Sequence, residues 1–101
     1  MKMVNPLDVQ RMAVRIERLM HTSTHGWDGD ELEFRNLLPT GRDPRHLPDP
    51  KELRTMTPTE NQYRFWNGII LRMEGMIQDN DPRNPRKMMR DMARGKMPGR
   101  W

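Results

Sequence analysis

Cysteine is absent from the 101-residue chain, which excludes disulfides, thiolate zinc sites and cysteine nucleophiles. Long apolar runs are missing too: no stretch of about 18 apolar residues occurs, so no membrane insertion is expected. The opening Met1-Lys2-Met3-Val4-Asn5-Pro6 contains no continuous apolar h-region. A soluble chain is expected, cytoplasmic or held within a virion or ribonucleoprotein particle, and not secreted through a cleaved signal. Apolar residues make up only 34% of the chain against 32% charged, with a mean hydropathy of −1.03. A chain this small buries a modest fraction of its surface, so a deep catalytic cavity would have to be carved from little material. No serine, histidine and acid constellation and no glycine-rich phosphate loop can be assembled from three histidines and scattered acids. The expectation is a protein that is not an enzyme, without cofactor or metal.

What is abundant is methionine, eleven residues, a flexible thioether that suits a loosely specified core or an adaptable contact surface. Helix signals come next. Asn5-Pro6-Leu7-Asp8 reads as a helix start, with Asn5 as cap, Pro6 at the first helical position and Asp8 near the positive end of the dipole. Val9, Met12, Ala13, Ile16, Leu19 and Met20 then recur at three- and four-residue steps and form one apolar stripe. Arg11, Arg15 and Arg18 fall on the other, solvated side, and Gly26 closes the region. Asp30 caps a short helix anchored through Leu32 or Phe34 with Leu37 and Leu38, which Pro39 ends.

From residue 39 to 57 the chain carries four prolines and Gly41, so it must run extended or in turns. Within it, Asp49-Pro50-Lys51-Glu52 repeats the cap pattern and predicts a single helical turn through Leu53. Thr57-Pro58-Thr59-Glu60 reads as a capping box with Thr57 as cap, Pro58 at the first position and Glu60 three residues on. A helix to about Gln78 follows, with Tyr63, Trp66, Ile69, Ile70, Met73, Met76 and Ile77 as its apolar face. It matches the first helix in period, so the two are expected to pack as an antiparallel pair. Asn84-Pro85 starts a last short helix with Met88, Met89 and Met92 on one side.

The fold expected is therefore all-α: an antiparallel helical hairpin with short accessory helices, a proline-rich connecting loop and a basic C-terminal arm. Residues 1–82 form the hairpin domain, including the loop at 39–57, and 83–101 the basic helix and tail. The charge divides at the same place. Arg83, Arg86, Lys87, Arg90, Arg94, Lys96 and Arg100 face Asp91 alone, a net +6, so residues 1–82 carry −2 of the overall +4. Such a segment attracts polyanions, and Trp101 adds a stacking surface. Arg83, Arg86, Lys87, Arg90, Arg94, Lys96, Arg100 and Trp101 are the expected contacts to nucleic acid or to an acidic partner. No zinc-finger, P-loop or RNA-recognition signature accompanies them.

Gly68 and Gly75 lie seven apart on the helix side opposite Trp66, each costing about 1 kcal/mol against alanine. With Leu71 they are the expected contact for a partner helix. His21 and His25 are four apart and on a continuous helix could hold a metal with Asp28 or Asp30. The zinc-protease pattern, however, needs glutamate where Thr22 stands. Two functions follow as expectations. One is a non-catalytic interaction or structural subunit that docks on a larger assembly, of virion or ribonucleoprotein type. The other is a small nucleic-acid-binding protein, with an inhibitor that blocks a partner's groove using the same surfaces. The partner expected is a protein or large assembly, with nucleic acid and a second copy of the chain as alternatives.

Overall fold

The computed structural model describes residues 3–27, 29–81, 83 and 85–93. They form an all-α fold of five helices: α1 (Pro6–Met20), α2 (Glu31–Leu37), α3 (Pro50–Leu53), α4 (Glu60–Asp79) and α5 (Pro85–Ala93). Among the described residues no helix is long and apolar enough to cross a membrane.

The first helix begins as its sequence dictates. The Asn5 side chain accepts a hydrogen bond from the Leu7 amide and Pro6 occupies the first turn, satisfying one of the orphan donors of the helix end. Its stripe is the core's first layer: Val9, Met12, Ala13, Ile16 and Leu19 are buried. Met20 is exposed, because the helix ends there and the chain turns away at His21. Phe34 and Leu37 of α2 are buried, and Trp27 meets the Phe34 ring edge-on at a centroid distance of 5.0 Å. Leu32, offered as an alternative anchor, is exposed.

The proline-rich segment is bound in more tightly than its composition suggests. Leu47, Pro50 and Leu53 are buried. The Leu47 amide donates to the Leu37 carbonyl at 2.8 Å and the Asp43 amide to that of Asn36 at 3.2 Å, so part of the segment's backbone ahead of α3 is satisfied by α2. Asp49 caps α3 by accepting from the Lys51 amide. This single turn lies against α1, with an Arg54–Glu17 ion pair at its edge.

Helix α4 starts two residues later than the sequence pattern first suggests. Its cap is Thr59, which accepts from the Gln62 amide at 3.2 Å while the Gln62 side chain accepts from the Thr59 amide at 3.1 Å. Both Thr57-x-x-Glu60 and Thr59-x-x-Gln62 fit a capping box. The second prevails because Pro58 is buried in extended chain and Thr59 pairs with Met3 in an isolated bridge.

The antiparallel arrangement expected for α1 and α4 requires correction. The helices do touch, and Ile16 on one and Ile70 and Met73 on the other belong to a single core. Their polarity, however, is the same. Met3 pairs with Thr59 and the Val4 amide donates to the Pro58 carbonyl just ahead of the two helices. Further along, Arg15 reaches Asn67 and Glu74. Both helices leave the same end and advance together. Apolar stripes specify which faces meet, not which way the axes point, and residues 21–59 are long enough to carry the chain back to its starting end through α2 and α3.

Candidate functional site

Helix α5 follows Asp81, whose carboxylate accepts from the Arg83 amide at 2.8 Å. Pro85 stands at the helix start, where its missing N–H costs nothing. Met88, Met89 and Met92 are 45%, 70% and 52% exposed, and none of them belongs to the buried core found among the described residues. At 100° per residue Pro85, Met88, Met89 and Met92 share one side of α5, the spacing with which an amphipathic helix presents anchors to a groove. Arg86, Lys87 and Arg90 occupy the opposite positions of the same register. Of the basic set, Arg83 is exposed, and Arg86, Lys87 and Arg90 belong to α5. Arg94, Lys96, Arg100 and Trp101 lie outside the described residues.

A second surface is the outer side of α4. Gly68 and Leu71 are exposed and Gly75 is half-buried, and a Cβ placed on either glycine would meet nothing within 4 Å. Among the described residues nothing therefore requires glycine at either position. Phe65 is exposed one turn before Gly68, so Phe65, Gly68, Leu71 and Gly75 run at helical spacing along one face. Phe65 was not among the residues expected on this face. Extending the glycine stripe back by three residues finds it. Leu71 and Gly75 border a shallow cleft of about 250 Å³ with Asp30, Met76 and Asp79. Arg72, which also lines it, donates to Glu33 of α2 at 2.6 Å, which raises the Arg72 pKa above its ordinary value.

Arg15 departs from the solvated role expected of it. Its guanidinium donates to both Glu74 carboxylate oxygens, at 2.7 and 3.3 Å, and to Asn67 Oδ1 at 2.8 Å. The bond to Glu74 raises the Arg15 pKa, against the opposing effect of burial. A planar fork satisfied on both tines ties α1 to α4, a structural role. His21 and His25 are not on one helix, because α1 ends at Met20, so the joint facing needed for shared metal ligation is not formed. Asp28, one of the third ligands considered, lies outside the described residues. Asp30 accepts instead from the Asn80 side chain at 3.4 Å. Among the described residues no group of three histidine or acidic side chains is placed to hold a metal ion.

No family model matches the chain, and comparisons with curated proteins and with solved structures find no match.

Proposed function

We propose that the chain is a non-catalytic interaction subunit that docks on a larger assembly, of virion or ribonucleoprotein type, with α5 as its principal docking element. The observation that supports this reading most is the exposed methionine side of α5. Transferring a methionine side chain from water to an apolar groove contributes about 1.5–3 kcal/mol, and methionine adapts to irregular partner surfaces. The positive charge of residues 83–101 adds attraction to an acidic rim and speeds encounter. The outer face of α4, with Phe65, Leu71 and its two glycines, supplies a second contact.

The test compares three forms of the chain in a native lysate of its source: full length, a truncation after Pro82, and a Met88→Ser, Met92→Ser double variant. An assembly retained by the full-length chain and lost from both altered forms supports docking through α5. Retention that survives truncation overturns it. Should the truncation alone lose its partner, and the partner prove to be nucleic acid whose affinity falls steeply with salt, the nucleic-acid reading takes its place.

A further inference from the structure

Three segments that are separate in sequence come together beyond the end of α1. The first is the polar run after His21. The second is the last turn of α2. The third is the turn through Thr40-Gly41-Arg42. Between them lies a cleft of about 550 Å³, whose polar lining includes Thr22, Ser23, His25, Arg35, Thr40 and Arg42, with Thr24 and Asn36. Among the described residues no acidic side chain lines it, and Met20, Phe34 and Leu38 contribute an apolar side. A volume of this order is typical of sites for small organic molecules.

The cationic walls are built rather than incidental. Thr24 is buried, accepts from Arg35 Nε at 3.1 Å and donates to Glu31 at 3.4 Å, while Glu31 takes a second Arg35 nitrogen at 2.7 Å. These bonds orient the guanidinium yet use only two of its N–H groups, and the side chain stays 61% exposed. Glu31 offsets part of its charge. Arg42 is exposed and has no hydrogen-bond or ion-pair partner among the described residues. Its acidic neighbour Asp43 is already engaged with Arg45 at 3.0 Å. The wall that carries Arg42 is pinned to α2: the Gly41 amide donates to the Leu38 carbonyl at 2.7 Å, and a Cβ on Gly41 would lie 1.9 Å from the Asn36 carbonyl oxygen. Glycine is needed for this approach.

We infer that this cleft binds a small organic phosphate monoester of about mononucleotide size. A phosphate presents three terminal oxygens, which suit guanidinium, hydroxyl and imidazole donors converging from different segments, and arginine meets such groups with paired N–H bonds. A carboxylate, with two oxygens in a plane, would leave part of this donor set unused. The apolar side of the cleft accommodates the organic body. This site is independent of α5, and its success or failure does not decide the docking reading.

Calorimetric titration of the full chain with adenosine 5′-monophosphate, adenosine and inorganic phosphate tests the assignment. The nucleotide is expected to bind, inorganic phosphate more weakly, and adenosine not detectably. Arg42→Gln, which breaks no internal contact, is expected to weaken nucleotide binding about tenfold or more while the thermal midpoint stays that of the parent. Arg11→Gln on the far side of α1 and the truncation after Pro82 are expected to leave it unchanged. Equal affinity for adenosine, an unaltered affinity in Arg42→Gln, or loss of binding on truncation would each overturn the site. So would an absence of nucleotide binding at millimolar concentration. Binding of an oligonucleotide without a terminal phosphate as tightly as the nucleotide would also overturn it, in favour of recognition of a nucleic-acid backbone.

Discussion

Residues 39–58 and helix α5 are opposites in what they form and what they bury. The first stretch has four prolines before Pro58 and almost no regular structure, yet it places Leu47, Pro50, Leu53 and Pro58 in the interior. The second is a continuous helix of nine residues whose three methionines all face outward. Regular hydrogen bonding alone therefore does not mark the parts of this chain that hold it together. Burial does, and the irregular stretch contributes to stability while the regular one remains available for contact.

The interior role of residues 39–58 is most exposed to test at Leu47. Leu47→Ala removes a fully buried side chain and is expected to destabilise the fold by about 2–5 kcal/mol, read from urea unfolding; a loss below about 1 kcal/mol would mean the stretch is a passive connector. Gly41→Ala should cost about 1–3 kcal/mol, because the added carbon overlaps the Asn36 backbone and the turn must shift. Gly75→Ala gives the opposite sign. With nothing near its Cβ position, the variant should gain up to about 1 kcal/mol of helix stability, and a loss instead would show that the α4 face is occupied in the folded protein. The double substitution Met88→Ala, Met92→Ala is expected to change the unfolding free energy by less than about 0.5 kcal/mol, as for surface positions, while weakening partner capture.

The smallest effect concerns acid. The Arg45 side chain and backbone amide hold the Asp43 carboxyl below the usual carboxylate range. Its contribution is present above the ordinary carboxylate pKa and is lost as pH falls through the depressed folded value. Asp43→Asn should therefore flatten the acid limb of a plot of urea midpoint against pH, and an unchanged limb would show that the turn does not depend on this pair.

Much of this architecture is legible in the residues because helix ends carry local signals. Asn5-Pro6 and Asp49-Pro50 announce α1 and α3, and three- and four-residue spacing marks the buried faces of α1 and α4. What escapes is set by residues far apart in the chain. The Thr57 and Thr59 boxes are locally equivalent, and the choice between them is made by Met3 and Val4. The shared polarity of α1 and α4 has no local signature, and Arg15 looks solvated until Glu74, fifty-nine residues away, is in place. The candidate sites divide the same way. The methionine stripe of α5 follows from spacing within one helix, and Gly68, Leu71 and Gly75 likewise. The cleft between Arg35 and Arg42 is assembled from three segments, each of which reads alone as an ordinary polar loop or helix end.

The bridge between Met3 and Thr59 joins the chain near its beginning to a point well past its middle. Helix α1 packs on α3 and α4, so its oily stripe emerges from the ribosome before its covering exists. At about 5–20 residues per second, the wait from Met20 to Met76 lasts roughly 3–11 s. Throughout that interval the stripe of Val9, Met12, Ile16 and Leu19 lacks the part of its cover that α4 supplies. The core is thus completed late, since the full covering of the first helix waits for the fourth.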